Sequence, residues 1–385
     1  MISSKHKFVF YHIPKTAGTS ILGGLISRLP PDEYVMNSKS KELCDYLEQH
    51  WGGSFPNHAP ASYIQKFLGN DVFSEYFKFA FVRNPYDRLV SFYYYIKQKE
   101  EALYKSANMV LPKRNQEIIK SKSFCDWVLS DNNLNNIAQT NFLSNEYDVP
   151  LFDILGKTES SNPHFHYICG HLHLPQIPLS EFNKSSHRNY ASCYNQEVEH
   201  KVRSNFIDDL MNFNYPILLK NCNEEDIRNS LCVTTAPEFS SDGLNYSKPF
   251  VRNFTKECKI PLHPFSQPFH LLASPVEKNT PTIVHRLEWS GIKKATSQLG
   301  FSATIGDPSP ESEAMSVAWD WIDGMKPIAE KRVSLLPGVE NNISIPFPVD
   351  TSSAYLRLRA IYTPTKKSDK LSTINFSKVT LREPS

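Results

Sequence analysis

Short apolar runs alternate with helix-like repeats along the N-terminal part of the chain. The runs Lys7–His12 and Phe77–Val82 are rich in aromatic and β-branched residues and each is followed closely by a proline, which predicts two short buried strands. Apolar residues about 3.6 positions apart predict helices over Gly18–Arg28, Tyr86–Lys99 and 196–213. Strand, turn and helix in repeated order predict an α/β fold, with a parallel sheet sandwiched by helices.

In the C-terminal part, polar and apolar residues alternate with a period of two. The clearest run is Ala354–Tyr362, and Asn342–Ile345, Thr373–Phe376 and Lys378–Leu381 follow the same pattern. More than half of the 27 prolines lie beyond residue 235. Short strands separated by proline, glycine, asparagine and serine turns are typical of an antiparallel β-sandwich, and the last two runs are similar to the final strands of jelly-roll modules.

This change of pattern predicts the domain organisation. We expect an α/β domain over 1–222, a linker or wrap-around segment over 223–260 and a jelly-roll-like β-sandwich accessory domain over 261–385. Trp289, Trp319 and Trp321 lie in the β-rich part. Large aromatic rings can stack on sugars, which would make this domain carbohydrate-binding, but they more often fill a core.

Composition narrows the possible functions. With 40% hydrophobic and 21% charged residues, the chain has the composition of a folded protein. The 42 lysines and arginines nearly balance the 40 acidic residues, which argues against a general nucleic-acid-binding surface but allows a local basic pocket. No apolar stretch reaches the roughly 18 residues of a transmembrane segment, and the N-terminus lacks the apolar part of a secretory signal. We therefore expect a cytoplasmic protein; the oligomeric state is left open.

Cysteine and histidine spacing gives no sign of a metal site. The seven cysteines form no CxxC pair, so we expect reduced thiols. Four histidines lie close together in sequence, with Cys169 among them, but their H-x-H spacing indicates a zinc site only weakly. They are His164, His166, His171 and His173. We expect no metal.

The segment Tyr11–Ser20 (YHIPKTAGTS) is the most informative part of the chain. It leads from a strand through a loop of small residues directly into a helix, where free backbone N–H groups and the positive end of the helix dipole favour an anion. Lys15 adds a full charge, and Gly18 allows the backbone to approach a phosphate closely. An ordinary capped helix beside a lysine is the alternative. Because the lysine precedes the glycine, this is not a Walker A loop, which disfavours a nucleoside triphosphate kinase.

A second anion-binding element is predicted in the segment 79–93 (FAFVRNPYDRLVSFY). Arg83 lies at the end of the second strand, where ligands gather in open α/β sheets, and Ser91 follows in the next helix. An arginine fork and a serine hydroxyl can hold a second phosphate. An ion pair between Arg83 and Asp87 that stabilises the turn is the alternative.

Together these two segments resemble the sulfotransferases that use 3′-phosphoadenosine 5′-phosphosulfate (PAPS), in the branch of the heparan and chondroitin sulfate O-sulfotransferases and their bacterial relatives. The resemblance extends more weakly through AQTNFL (138–143), ILGKTE (154–159) and NKSSH (183–187), and it covers roughly residues 7–216. It implies a P-loop-like fold that binds PAPS as the sulfuryl donor and needs no metal.

The resemblance also implies roles for individual residues. Lys15 would contact the oxygen that bridges phosphate and sulfate, while Arg83 and Ser91 would hold the 3′-phosphate. The 5′-phosphate would be cradled by Thr16, Ala17, Gly18, Thr19 and Ser20. The stretch Asn183–Tyr190 would form a lid near the nucleotide.

Transfer to a hydroxyl also needs a base, and a histidine suits this task because its ordinary pKa of ~6.5 is close to physiological pH. Of the 13 histidines, His58 lies in an irregular loop between the two segments, where relatives of this branch carry their catalytic histidine. A surface histidine that caps a loop is the alternative. We expect His12 to pack against or orient the phosphate loop, and Glu159 to orient a loop or to form an ion pair.

The expected function is therefore sulfuryl transfer from PAPS to a hydroxyl of a glycan or glycan precursor, with His58 as base and Lys15 at the leaving oxygen. Two alternatives stay open. The acceptor could be another small molecule or a lipid, or the chain could be a non-catalytic nucleotide- or sugar-binding protein.

Overall fold

The structure is a computed structural model, and it divides the chain into two compact units. The first unit comprises Met1–Ser144 and Leu151–Thr234, and the second comprises Asn145–Pro150 and Thr235–Ser385. The structure describes residues 1–34, 58–100, 111–176, 178–179, 189–234, 244–246, 250–252, 269–273, 282–289, 298–305, 315–323, 326–348, 351, 353–362, 372–377 and 379–382.

A five-stranded sheet forms the centre of the first unit. Its strands, in spatial order, are β1 (Ile2–Ser3), β2 (Phe8–Tyr11), β3 (Phe77–Val82), β4 (Ile154–Lys157) and β5 (Val233–Thr234). The central strands β2, β3 and β4 are parallel, which confirms the predicted α/β architecture. The two edge strands are antiparallel, so the sheet is mixed. Each edge strand has only two residues, too few to show a recognisable pattern in the sequence.

The central strands are buried on both faces. Every residue of β2 and β4 is buried, although successive side chains point to opposite sides of the sheet. On one face, four phenylalanines of the strands pack against apolar residues of the helices that begin at Gly18 and Ser161. The set includes Phe8, Phe10, Phe79, Phe81, Ile21, Leu25, Phe165 and Ile168.

The helices of the first unit lie between these strands in the chain. They are α1 (Gly18–Ile26), α2 (Ala61–Leu68), α3 (Asn70–Glu75), α4 (Pro85–Tyr95), α5 (Lys113–Lys120), α6 (Phe124–Ser130), α7 (Thr140–Leu143), α8 (Ser161–His171), α9 (Gln196–Asn205), α10 (Ile207–Asn212) and α11 (Glu224–Arg228). The predicted helices over Gly18–Arg28 and Tyr86–Lys99 are thus present in shorter form, and α4 continues as a π-helical turn over Ile96–Glu100.

The predicted single helix over 196–213 is wrong in one respect, because it is two helices. Phe206, with φ −120° and ψ 21°, interrupts the helix between α9 and α10. The apolar stripe survives the break because all of its members are buried: Val198, Val202, Phe206, Leu210 and Phe213. Periodicity reports which side chains face inward, and it cannot detect a change of axis that leaves them inward.

The second unit contains two antiparallel sheets, which confirms the predicted β-rich character. One sheet has the order β13–β10–β15–β8 with β16 also paired to β10, and the other has the order β12–β11–β14–β9–β6 with β7 also paired to β9. The strands are β6 (Leu244–Tyr246), β7 (Phe250–Arg252), β8 (Phe269–Ala273), β9 (Thr282–Trp289), β10 (Gln298–Ile305), β11 (Met315–Asp323), β12 (Lys326–Ser334), β13 (Asn341–Pro346), β14 (Ser353–Tyr362), β15 (Ser372–Phe376) and β16 (Thr380–Arg382). The jelly-roll-like arrangement stays a prediction.

Two of the three tryptophans singled out in the β-rich part belong to its interior. Trp319 and Trp321 are 3% and 1% exposed, and Trp321 donates a hydrogen bond from Nε1 to the carbonyl of Pro346 at 2.8 Å. Buried rings cannot stack on a sugar, so these two residues fill a core. The side chain of Trp289 lies outside the described part of the structure.

The close approach of β3 and β4 at Gly156 yields the first prediction. Phe81 lies opposite Gly156 in the parallel register, and a Cβ added to Gly156 would lie 2.5 Å from Cε1 of the Phe81 ring. Gly156→Ala should therefore lower the free energy of unfolding by about 1–3 kcal/mol, as expected for an overpacked core. Urea denaturation measures this change.

Gly170→Ala is the matched control. Gly170 lies in α8, and the nearest atom to an added Cβ is Nε2 of Gln176 at 3.5 Å. Alanine at a helical position without a clash should be neutral or stabilising by up to about 1 kcal/mol. Equal effects of the two substitutions would contradict the close packing of Phe81 on Gly156.

Candidate functional site

The loop between β2 and α1 leads directly into the N-terminus of a helix. Ala17 is the N-cap residue of α1, its side chain makes no capping hydrogen bond, and the first turn contains no acidic residue. The positive end of the helix dipole and the first backbone N–H groups are therefore directed at the loop, with no carboxylate of the first turn to offset them. This arrangement is suited to an anion.

The backbone of this loop adopts an uncommon conformation. Lys15 and Ala17 have φ values of 67° and 60°, in the left-handed region that residues with a Cβ rarely occupy. Thr16, between them, is buried and donates its hydroxyl hydrogen to the carbonyl of Ile13 at 2.9 Å. Strained residues of this kind cluster at ligand-binding sites. The Thr16 hydroxyl thus holds the loop in shape, whereas Thr19 is exposed and Ser20 is buried.

A neighbouring side chain leaves room only for glycine at position 18. A Cβ added to Gly18 would lie 1.9 Å from Cδ2 of the His12 imidazole. The His12 ring therefore lies against the first residue of α1, in the space that a larger residue would fill. This places His12 beside the loop, as its sequence position suggested.

Two arginines of the second segment bind the backbone of the loop. Arg88, on α4, is 3% exposed and donates from Nε to the carbonyl of Pro14 at 2.9 Å and from Nη1 to the carbonyl of Ile137 at 2.7 Å. Arg83 donates a longer hydrogen bond from Nη1 to the carbonyl of Lys15 at 3.5 Å. The structure therefore brings the two predicted anion-binding segments together.

Arg83 also forms the ion pair that the sequence left open as an alternative. Its Nε donates to Oδ2 of Asp87 at 2.7 Å. Within the described part of the chain, Nη2 of Arg83 donates no hydrogen bond. Ser91 lies one turn after Arg88 on α4 and is buried. Arg83 thus pairs with Asp87 and still has N–H groups on Nη2 that can bind a ligand.

Lys15 extends over an aromatic ring. Its Nζ lies 4.0 Å from the centre of the ring of Tyr95, the last residue of α4, and Tyr95 is 41% exposed. A cation above the face of an aromatic ring is attracted by the electron-rich face. Tyr95 therefore attracts the ammonium group of Lys15, which is itself half-buried.

His58 lies against the same loop. Its Nδ1 is 2.7 Å from the carbonyl oxygen of His12, and the two imidazole rings meet edge to face with centroids 4.6 Å apart. A carbonyl can only accept, so Nδ1 carries the hydrogen and Nε2 carries a lone pair. Nε2 is the nitrogen that can accept a proton. His58 is exposed, which leaves its ring accessible from solvent.

Both histidines are neutral at physiological pH. The protein packed around the ring lowers the pKa of His58 below its ordinary 6.5; the hydrogen bond to His12 opposes this and nearby Arg88 adds to it. Burial, with a smaller effect of His58, lowers the pKa of His12 to about 3. A neutral His58 is the form that a general base requires.

Glu159 orients the segment that carries Arg83. It accepts hydrogen bonds from the backbone N–H of Asn84 at 2.7 Å and from the Tyr215 hydroxyl at 2.9 Å. Burial raises the pKa of its carboxyl group. This corresponds to the predicted loop-orienting role. Nearby, Lys157 is fully buried, and burial lowers its pKa to about 8, with Glu159 opposing the change.

One of the four clustered histidines, His164, is held by backbone groups. Nδ1 of His164 accepts from the Lys157 N–H at 2.8 Å, and its Nε2 donates to the carbonyl of Ser230 at 2.9 Å. In the ranges that the structure describes, no group of three or more His, Cys, Asp or Glu side chains is arranged to hold a metal ion. The predicted lid lies outside the described residues, apart from Asn189 and Tyr190.

Comparison with known proteins identifies the family of this chain. A model described as the Sulfotransferase family matches residues 1–216, more than half of the chain. The chain belongs to the sulfotransferase family. The matched region contains both anion-binding segments and His58, whose contacts with one another are therefore contacts within the sulfotransferase region. No curated protein matches this sulfotransferase.

Solved structures with some similarity share little of the fold. They are the enzymatically active domain of the bacteriophage CBA120 tailspike protein 4 (13% identity, TM-score 0.22, 37% of this chain and 19% of that chain), the infectious bursal disease virus VP2 subviral particle (13%, 0.21, 40% and 35%) and the secreted serine protease VesC from Vibrio cholerae (12%, 0.17, 30% and 24%). The sulfotransferase chain spans about a fifth of the tailspike chain. Scores this low carry no functional argument. Separately, no helix in the described ranges is both long enough and apolar enough to cross a membrane.

Sequence reasoning missed several residues of the sulfotransferase site. It did not predict that Arg88 would bind the loop or that Tyr95 would contact Lys15. It also did not predict that Gln139 of the AQTNFL motif would form two hydrogen bonds with the backbone of Arg83. The stripe of Arg88, Ser91 and Tyr95 on one helix face was a usable signal for the first two. The AQTNFL motif was noticed, but no local pattern indicates which strand its side chains reach.

The histidine pair yields the second prediction. In an NMR titration of the imidazole resonances, His58 should titrate below 6.5 and His12 near 3, with Nε2 of His58 unprotonated at neutral pH. The same residues in the denatured chain should titrate near ~6.5. A folded-state midpoint for His58 at or above 6.5 would contradict the assigned environment.

The direction of the pH effect on stability follows from the same shift. Between the folded pKa of His12, about 3, and its ordinary value of 6.5, the unfolded chain binds the proton and the folded chain does not. Protonation therefore favours unfolding, and the contribution of this group falls as pH drops from 6.5 toward 3.

Proposed function

We propose that this sulfotransferase moves a sulfuryl group from PAPS to a hydroxyl of a glycan or glycan precursor, with His58 as the general base. The observation that carries the proposal is the contact between the loop that precedes α1 and the segment that carries Arg83 and Arg88. Arg88 binds the carbonyl of Pro14, and Arg83 reaches the carbonyl of Lys15. Two anion-binding elements therefore open at one edge of the sheet, as a nucleotide with phosphates at both ends requires.

The loop side suits the 5′-phosphosulfate end of the donor. The N-cap residue of α1 makes no side-chain capping bond, and the first turn contains no acidic residue. Its N–H groups can therefore bind phosphate oxygens, with Thr16, Ala17, Gly18, Thr19 and Ser20 forming the cradle. Lys15 precedes this turn in the loop, and on donor binding its ammonium group would turn from the Tyr95 ring to a phosphate oxygen.

The other side suits the 3′-phosphate. Arg83 has an N–H group that no described residue engages, and Ser91 lies on the helix that begins just after Arg83. A guanidinium with part of its fork available and a hydroxyl are typical phosphate ligands. This support concerns the donor alone and is independent of the acceptor.

The chemistry assigned to each residue follows from its position. When bound, the donor supplies an activated sulfur whose bond to the phosphate oxygen breaks as the acceptor oxygen attacks. His58 accepts the hydroxyl proton at Nε2, which its bond to His12 leaves unprotonated. Lys15 neutralises the charge that develops on the departing phosphate oxygen, an effect that is largest in the transition state.

The finer features rest on resemblance. The likeness to the heparan and chondroitin sulfate O-sulfotransferases supports a glycan acceptor and a P-loop-like fold for the first unit. A carbohydrate-binding role for the C-terminal unit would have to use side chains other than Trp319 and Trp321, because both are buried. Cytoplasmic location stays a prediction.

Loss of the base gives the third prediction. His58→Gln should reduce sulfate transfer from PAPS by about 10²–10⁴-fold, because positioned proton transfer contributes a factor of that size. The variant should still bind adenosine 3′,5′-bisphosphate. Transfer of radiolabelled sulfate to a panel of glycans, small hydroxylated molecules and lipids measures the first effect, and thermal shift measures the second.

His200→Gln is the matched control, because His200 is exposed on α9 and takes no part in the proposed site. It should leave transfer unchanged. Full activity in the His58 variant would remove His58 from the mechanism. A wild-type protein that binds the bisphosphate but sulfates no acceptor would instead favour the non-catalytic alternative.

Loss of the loop cation gives the fourth prediction. Lys15→Ala should lower kcat by more than it weakens binding of the bisphosphate, because the bridging charge grows as the reaction proceeds. Lys113→Ala, which removes an exposed lysine on α5 paired with Glu117 at 3.9 Å, should change neither. An effect of Lys15→Ala confined to binding would contradict the assigned role.

A further inference from the structure

Gln139 makes two hydrogen bonds to the backbone of one residue. Its Oε1 accepts from the N–H of Arg83 at 2.9 Å, and its Nε2 donates to the carbonyl of Arg83 at 2.8 Å. Gln139 itself is 0% exposed. The pair of bonds copies the exchange between two strands, and it begins at the residue that follows β3. The peptide groups on both sides of Arg83 are thereby fixed.

Asp209 holds Gln139 in turn. Its Oδ2 accepts from the backbone N–H of Gln139 at 2.8 Å and from Nε2 of Gln139 at 3.3 Å, while its Oδ1 accepts from the N–H of Thr140 at 2.8 Å. Because a carboxylate only accepts, it determines which end of the Gln139 amide is the donor. Asp209 lies on α10 and is 0% exposed.

The position of the Arg83 backbone sets where its guanidinium points. That side chain has 15% of its surface exposed, donates to Asp87 at 2.7 Å and reaches the Lys15 carbonyl at 3.5 Å. Those two contacts hold the guanidinium only while its Cα stays in place. A bidentate phosphate contact is sensitive to displacements of the order of 1 Å.

We propose that Gln139, held by Asp209, is the positioning residue that makes this site selective for nucleotides with a 3′-phosphate. This inference rests on the proposed function, because it assigns the 3′-phosphate to Arg83. Gln139 touches neither nucleotide nor acceptor. A purely structural role would instead affect all nucleotides alike, and this difference makes the proposal testable.

The test compares two nucleotides that differ only in the 3′-phosphate. Isothermal titration calorimetry with adenosine 3′,5′-bisphosphate and with adenosine 5′-phosphate gives a ratio of dissociation constants for each variant. Gln139→Leu keeps most of the side-chain volume and removes both bonds to Arg83. It should weaken binding of the bisphosphate about tenfold or more and change binding of the 5′-phosphate less than about twofold, so that the ratio collapses.

Gln116→Leu is the matched control. Gln116 lies on α5, and its Nε2 donates to the carbonyl of Leu111 at 2.8 Å. The substitution removes a side-chain-to-backbone hydrogen bond of the same kind at a place away from Arg83. The ratio of the two dissociation constants should therefore stay at its wild-type value. If Gln139→Leu shows no cooperative melting transition, Asp209→Asn decides the matter, because it loosens the same relay one step farther away and should lower the ratio as well.

The outcomes distinguish failure of the proposed function from failure of the positioning role of Gln139. A wild-type protein that binds both nucleotides equally would overturn the assignment of Arg83 to the 3′-phosphate, and with it the proposed function. A wild-type protein that discriminates, with folded variants that keep the full ratio or lose affinity for both nucleotides equally, would overturn the positioning role alone.

Discussion

The hydrogen bond from the Arg88 guanidinium to the carbonyl of Pro14 is the constraint on which the site depends. Arg88 is buried on α4, and Pro14 belongs to the loop that follows the neighbouring strand. The parallel register, in which Tyr11 lies opposite Ala80, already places the ends of β2 and β3 at the same edge. Arg88 then fixes the loop against the helix, and its second bond, to Ile137, extends the link toward Gln139.

This arrangement concentrates positive charge in a small region. Arg83 and Arg88 both bind the backbone of the loop that leads into α1, and the dipole of α1 adds a partial positive charge there. The carboxylate of Asp87 balances part of this charge. The remaining positive charge is the physical reason for proposing a phosphate at this edge. The protein packed around the His58 ring lowers the pKa of this histidine, and nearby Arg88 adds a smaller effect in the same direction.

The sequence predicted what depends on local pattern. The strands Phe8–Tyr11 and Phe77–Val82, the helices that follow them and the antiparallel character of the second unit all follow from periodicity and turn residues. Family membership was predicted from the two motifs YHIPKTAGTS and FAFVRNPYDRLVSFY, which occur in this order along the chain. The break at Phe206 could not be predicted, because it leaves the apolar stripe buried. The edge strands could not be predicted, because two residues are too few to show a pattern.

The contacts that support the site could not be predicted from the sequence for a different reason. Gln139 lies 56 residues from Arg83 in the sequence, and Asp209 lies 70 residues from Gln139. No local signal encodes pairings over such separations. His58 could be placed by analogy, but its bond to the carbonyl of His12 could not. The motifs therefore predicted residues that would contact the ligand. They did not predict the residues that position those ligand-binding residues.

A crystal structure of the protein with adenosine 3′,5′-bisphosphate tests the central claim most directly. The account predicts the 5′-phosphate against the first turn of α1, with Lys15 turned from Tyr95 toward it, and the 3′-phosphate on Arg83 and Ser91. A nucleotide bound elsewhere, or phosphates that leave Lys15 and Arg83 in separate cavities, would contradict it.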